Sequence, residues 1–228
     1  MYAERRSRLT NAVVWRNAVP ADGAPGPVLP DGCLDLIWVD GTLLVAGPDT
    51  AAHVPAGAPG TVYVGVRFAP GTGAPVIGVP ANQVRDRRVP LADVWAAGRV
   101  RRLTARMASA SDPVAELERV AGERAAECGP PDGSIAAVVR GMRAGASVAS
   151  TAAAVGLTER AMHRRCLVAF GYGPKTLARI LRMNRAVALA RGGTAFATVA
   201  AVAGYADQAH LARDVRALAG VPLGALTR

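Results

Sequence analysis

The stretch STAAAVGLTERAMHRRCLVAFGYGP, residues 150–174, recurs in altered form as ATVAAVAGYADQAHLARDVRALAGVP, residues 197–222. Each copy has a short Ala-rich segment, a glycine, a polar turn and a longer amphipathic segment ending in glycine near a proline. Gly156 matches Gly204, 48 residues on, whereas Met162, Arg164 and Gly171 match Leu211, Arg213 and Gly220, 49 residues on. The second turn therefore holds one extra residue. One copy reads as a helix-turn-helix. Its first helix is small-sided, through Ala152, Ala153 and Ala154 or Ala200, Ala201 and Ala203, so that the second helix can cross it closely. The glycine permits a left-handed turn at the helix end. Thr158 and Asp207 suit the N-cap of the second helix.

The longer segments have a buried and an exposed face. Met162, Cys166 and Phe170 fall at i, i+4 and i+8, and Leu211, Val215 and Leu218 form the corresponding apolar stripe. The other face carries Arg160, His163 and Arg164 in the first copy. In the second it carries Gln208, His210, Ala212 and Arg213. Arg pairs with guanine and Gln with adenine in the major groove, so these seven residues are the candidate base contacts. Candidate phosphate contacts are Thr158, Arg165, Lys175, Arg179, Arg182 and Arg216. The first motif, with more cations, is expected to bind harder and the second to refine sequence choice.

Between the copies lies PKTLARILRMNRAVALAR, residues 174–191. As one helix of 18 residues it spans about 27 Å. Leu177, Ile180 or Leu181, Asn184, and Val187 or Ala188 form its expected inner stripe. A rod of this length is suited to placing two recognition helices in major grooves about 34 Å apart. Across residues 134–228 the spacing predicts helices at roughly 134–144, 148–155, 159–170, 174–191, 195–203 and 207–219.

Charge supports a nucleic-acid partner for this half. Residues 1–130 hold 14 Arg against 13 acids, whereas residues 131–228 hold 13 Arg or Lys against four acids. An arginine bias spread evenly over a soluble surface would give similar excesses in both halves. Localised positive charge instead attracts polyanions.

The first half reads differently. AVVW (12–15), CLDLIWVD (33–40), TLLVAG (42–47) and TVYVGVRF (61–68) are strand-like runs, separated by the breaks VPADGAPGPVLPDG (19–32) and PAGAPG (55–60). Val62, Val64, Val66 and Phe68 alternate with Tyr63, Gly65 and Arg67, as in a half-buried strand. Asp40-Gly41 signals a hairpin. Helical patterns follow over 90–110 and 111–127, the second capped by Ser111 or Asp112 with Pro113 in its first turn. CGPPDG (128–133) interrupts the pattern and marks the expected domain boundary.

The expected fold class is thus α+β in two domains. Residues 1–130 form a small β-barrel or sandwich with trailing helices; residues 131–228 form an all-α domain of two helix-turn-helix motifs joined by a linker helix. With 51% apolar but only 4% aromatic residues, the cores are built mainly of Val, Leu and Ala.

Residues 134–226 resemble the DNA-binding domain of AraC/XylS-type transcription regulators. The resemblance rests on Gly156, Thr158, Met162, Arg164, Phe170, Gly171 and Pro174 in the first motif. In the linker it rests on Leu177, Leu181, Arg185 and Ala186, and in the second motif on Gly204-Tyr205, Asp207-Gln208, Leu211, Arg213, Val215, Gly220 and Pro222. Cys166 and Val215 stand where the family usually has phenylalanine. The family's base-facing positions carry over to Arg160, His163 and Arg164, with Gln208, His210, Ala212 and Arg213 corresponding. LPDGCLDLIW (29–38), VAGPDT (45–50) and GVRFAPG (65–71) resemble the cupin-like sensor domains that precede such motifs. The resemblance implies a promoter-binding regulator, usually an activator, with double-stranded DNA, RNA polymerase, a small-molecule effector and a second copy of the chain as partners. Trp38, Tyr63, Arg67 and Phe68 are the candidate effector contacts.

Other readings find less support. Metal cupins need converging histidines, and residues 1–130 hold only His53, so no metal, cofactor or enzymatic activity is expected. Cys33, Cys128 and Cys166 have neither CxxC spacing nor even number and read as reduced thiols. Asp31 and Asp35 read as a turn cap and a solvated strand residue. No apolar run reaches about 18 residues and the N-terminus lacks the marks of a signal peptide, so the expected location is the cytoplasm. The rival function is a ligand-binding or enzymatic cupin-like protein whose helical half does not bind DNA.

Overall fold

The computed structural model describes residues 2–9, 11–21, 26–55 and 57–227. Residues 22–25 and 56, inside the two Pro/Gly-rich breaks, lie outside the described residues. Six strands, β1 (Tyr2–Arg6), β2 (Ala12–Ala18), β3 (Leu34–Val39), β4 (Thr42–Ala46), β5 (Val62–Phe68) and β6 (Arg88–Pro90), form one antiparallel sheet in the order β1-β2-β5-β3-β4-β6. The β3–β4 hairpin turns at Asp40 and Gly41, with φ of 45° and 75°. Two positive φ values give the primed turn whose twist matches the flanking strands.

Side-chain alternation divides the sheet into two unlike faces. Val14 of β2, Leu34 and Leu36 of β3, Leu43 and Val45 of β4, and Val64, Val66 and Phe68 of β5 pack into one core. That core is covered by helices, where a sandwich would use a second sheet. They are α1 (Gly73–Ile77), α2 (Ala81–Val84), α3 (Ala97–Ser109) and α4 (Pro113–Cys128). Asp112 caps α4, accepting from the amides of Val114 and Ala115, a contact that stabilises by about 1 kcal/mol. The opposite face of the sheet holds Trp15, Asp35, Ile37, Leu44, Tyr63 and Arg67 and is not covered by these helices.

The second half is all helical: α5 (Gly133–Arg143), α6 (Val148–Ala154), α7 (Glu159–Phe170), α8 (Pro174–Arg191), α9 (Phe196–Ala203) and α10 (Gln208–Ala219). The observed order, a sheet with following helices and then an all-α part, is the expected one. Gly171, Gly204 and Gly220 end their helices at φ of 80°, 83° and 71°. Met162, Cys166 and Phe170, and Leu211, Val215 and Leu218, are buried as their spacing requires, Cys166 and Val215 completely. Linker α8 is buried over a wider arc than the expected stripe. Leu177, Ile180, Leu181, Met183, Ala186, Val187 and Ala190 are all inside, and Ala188 is exposed.

The two halves meet through backbone as well as side chains. Ala52 N donates to Leu218 O at 2.6 Å, and Arg85 Nη1 donates to Gly171 O at 3.1 Å. Asn184 Nδ2 of α8 donates to Pro30 O at 2.8 Å. Gly71, where an added Cβ would lie 2.4 Å from Ile135, lets the loop after β5 approach the helical core.

Glu118 on α4 gathers the end of β1. It accepts from Arg5 Nη2 at 2.8 Å, Ser7 Oγ at 2.7 Å and the Arg8 amide at 2.6 Å. The Arg5 hydrogen bond, opposed by burial and assisted by Ser7, lowers its pKa from 4.5 to about 2. A depressed carboxyl pKa stabilises the fold above the unfolded value, and the contribution disappears as pH falls from 4.5 toward 2. Thermal unfolding of Glu118→Gln against wild type is expected to show a deficit at neutral pH that narrows across that window.

Candidate nucleic-acid interface and ligand cavity

Both recognition helices are built by local rules. Thr158 Oγ1 accepts from the Ala161 amide at 3.2 Å to start α7, and Asp207 Oδ1 accepts from the His210 amide at 2.6 Å to start α10. In α7, Arg160, His163 and Arg164 are exposed; in α10, Gln208, Ala212 and Arg213 are exposed. His163 rests against the turn into α8, because a Cβ on Gly173 would lie 2.6 Å from its ring. His210 is half-buried: its ring stands edge-on to Tyr205 at 5.1 Å, and its Nδ1 accepts from the Ala206 amide at 3.4 Å. It thus shapes the start of α10 as well as facing outward. The C-terminal part of α7 borders α1, with Arg164, Arg165 and Val168 beside Pro75 and Val79. Its N-terminal turn stays exposed.

The candidate phosphate residues separate into two groups. Thr158, Lys175 and Arg216 are exposed. Arg165, also exposed, donates to Ser134 Oγ at 2.9 Å and lies 3.7 Å from Asp132. Arg179 and Arg182 turn inward to Asp214 of α10, a carboxylate only 7% exposed. Arg179 Nε donates to its Oδ1, Arg182 Nη2 to its Oδ2 at 3.4 Å, and Tyr205 OH to its Oδ2 at 3.1 Å. Arg182 also lies 4.5 Å over the Tyr205 ring. Burial, then Asp214, pushes the Tyr205 phenol up to about 12, so it stays a donor at neutral pH. This cluster ties α10 to α8. Nothing local marks Asp214 as an ion-pair partner, because Arg179 and Arg182 lie 35 and 32 residues away.

A second feature lies on the uncovered sheet face. A cavity of about 430 Å³ opens there, lined among others by Tyr2, Trp15, Asp35, Tyr63, Arg67 and Arg88. Its centre depends on Gly65. The Trp15 indole lies over that position, where a Cβ would come within 2.2 Å of the ring. Trp15 Nε1 then donates to Asp35 Oδ1 at 2.6 Å. Arg67 Nε lies 3.3 Å from Asp35 Oδ1 and 3.6 Å from Asp31 Oδ2. Burial pushes the Asp35 carboxyl up, while Arg67 and the Trp15 hydrogen bond pull it back; Asp35 in turn holds Arg67 firmly protonated. Arg88 grips Asp49 with both terminal nitrogens, at 2.7 and 2.6 Å.

Of the four candidate effector contacts, Tyr63 and Arg67 line this cavity. Trp38 and Phe68 are corrections: both pack on the helix-covered face, since Phe68 shares the parity of Val64 and Val66 and Trp38 that of Leu34 and Leu36. Asp31 caps a turn by accepting from the Cys33 amide at 2.9 Å. Asp35 is buried, not solvated, because its side chain points into the cavity floor. Cys33 is buried and its thiol is pushed well up by burial; all three cysteines are free. Among the described residues no cluster of metal-ligating side chains occurs, and no helix is long and apolar enough to cross a membrane.

Residues 151–228 match the family described as helix-turn-helix domain, and the C-terminal region is a helix-turn-helix domain of the AraC type. Residues 11–90 match a family described as a domain of unknown function, DUF6597. The chain is similar in fold to ToxT of Vibrio cholerae. An apo variant of that protein superposes with a TM-score of 0.51 at 10% identity, covering 97% of this chain and 98% of ToxT. A ToxT structure bound to an unsaturated fatty acid gives 0.48 at 9% identity, with 97% and 96% covered. No curated protein matches the sequence.

Two variants test the geometry. Gly65→Ala is expected to lower stability by about 1–3 kcal/mol through overpacking against Trp15, read as a lower denaturant midpoint. Asp214→Ala leaves Arg182 and Tyr205 without their acceptor; with both arginines part-exposed, the expected cost is about 1–2 kcal/mol, measured by the same unfolding.

Proposed function

We propose that the chain is a sequence-specific regulator of transcription that binds duplex promoter DNA through α7 and α10 in successive major grooves. Residues 131–228 are its DNA-binding domain, and residues 1–130 sense a small molecule or hold a second copy of the chain. The observation that carries this reading is the pair of capped, outward-facing helices docked on α8 within the basic half. Arg160, His163 and Arg164 on one, and Gln208, His210, Ala212 and Arg213 on the other, are the proposed base-reading groups. Arg sets a bidentate fork against guanine and Gln against adenine.

Affinity in this reading comes mostly from phosphates, and sequence choice from the two helix faces. Thr158, Lys175, Arg165 and Arg216 are the proposed phosphate contacts. Arg179 and Arg182 contribute by fixing the angle of α10 through Asp214, with their part-exposed guanidiniums adding positive potential. The cavity supplies the regulatory input. Its rim segment Leu29-Pro30-Asp31 is hydrogen-bonded through Pro30 O to Asn184 on α8, so displacement of that segment by a ligand bears on the helix that carries both motifs. RNA polymerase is the proposed downstream partner.

Gel shifts on a site selected from random duplex test the assignment. Arg164→Ala and Arg213→Ala are each expected to lose about 1–3 kcal/mol of discrimination at their base pairs while keeping most non-specific binding. Unchanged operator preference in both variants contradicts it.

A further inference from the structure

The effector reading leaves the chemistry of the ligand open, and the cavity's own charges narrow it. Four carboxylates, Asp31, Asp35, Asp40 and Asp49, line it against two guanidiniums, Arg67 and Arg88. His53 adds no positive charge near neutrality, because burial, and then Arg88, lowers its pKa. The lining is therefore net negative. Arg88 is held by Asp49 through a bidentate contact of both its terminal nitrogens.

Arg67 is different. Nε makes the hydrogen bond to Asp35 and approaches Asp31 at 3.6 Å, and among the described residues neither terminal nitrogen donates a hydrogen bond to a protein acceptor. It presents donors toward a cavity whose apolar wall includes Trp15, Val28, Leu29, Ile37 and Leu44. Free guanidinium donors call for an acceptor. A ligand carboxylate would satisfy them but would place a third negative charge beside Asp31 and Asp35, in a site of low dielectric where like charges cost most. An ammonium group would suit the aspartates but would meet the Arg67 charge and leave its donors unmade.

We propose that this cavity takes an uncharged, mostly apolar molecule that presents a carbonyl-type acceptor, as in an ester, amide, lactone or ketone, to the terminal nitrogens of Arg67. The volume of about 430 Å³ suits a compact small molecule. The proposal rests on the effector reading of the cavity and not on DNA binding.

Isothermal titration of the full chain with four probes of one skeleton tests it: phenylbutyramide, methyl phenylbutyrate, phenylbutyrate and phenylbutylamine. The amide and the ester are expected to bind about tenfold or more tighter than the acid and the amine, the difference one well-placed hydrogen bond to a charged group makes. The polar amide guards against a ranking set by hydrophobicity alone. Arg67→Lys keeps the charge beside Asp35 but lacks the fork, and is expected to cut amide and ester binding by about tenfold with the thermal unfolding transition retained. The wild-type ranking stands as a test even if that variant fails to fold. Tightest binding of phenylbutyrate, or of phenylbutylamine, overturns the proposal and leaves an effector cavity of another class. Binding of none of the four overturns the proposal and leaves the effector reading to other ligand classes, while binding to duplex DNA is measured separately.

Discussion

Helix α8 joins the two helix-turn-helix motifs to each other and to the loop beside the cavity. Eight of its 18 residues are buried, spread along its whole length, and its sides meet different partners. Leu177, Ile180, Leu181 and Met183 anchor the helical core that holds both motifs. Arg179 and Arg182 reach Asp214 and fix α10. Asn184 reaches Pro30 beside the cavity. A helix packed along its length can respond to a push by shifting or tilting as a body, as well as by bending. In the proposed regulatory reading, coupling between the cavity and α7 and α10 needs only a change in how α8 sits.

The Asp214 cluster shows how charge is used inside this basic half. A buried carboxylate among arginines costs desolvation, and its return is geometric definition more than stability. Two guanidiniums and a phenol satisfy it from different directions, which leaves α10 one orientation relative to α8. The first motif has no such device: at the position matching Asp214 stands Arg165, which reaches Asp132 and Ser134 at the start of α5. Both helices pack on α8, but α10 is pinned there by the Asp214 cluster, whereas α7 also leans on α5, α1 and α2.

Much of the helical half was legible because its punctuation is local. Gly171, Gly204 and Gly220 mark ends, Thr158 and Asp207 mark starts, and the observed helices begin and end within a residue or so of those marks. The hairpin at Asp40-Gly41 was legible for the same reason. What escaped depends on long-range pairing. Trp15, Asp35, Gly65 and Arg67 become one constellation only when β2 and β3 flank β5. Arg179 and Arg182 read as phosphate contacts because nothing nearby in sequence announces Asp214. The misplacement of Phe68 was avoidable: its alternation with Arg67 already put it on the valine face, and an aromatic character alone is a poor guide to a cavity.

In the proposed reading, residues 131–228 present a DNA-binding surface. Fluorescence anisotropy of the full chain on a random-sequence duplex, at about 50 and 200 mM salt, tests it most directly. The prediction is measurable binding at the lower salt that weakens by about tenfold or more at the higher, as released counterions require for several phosphate contacts. No binding at the lower salt, or binding indifferent to salt, rules out a phosphate-contacting surface on this chain.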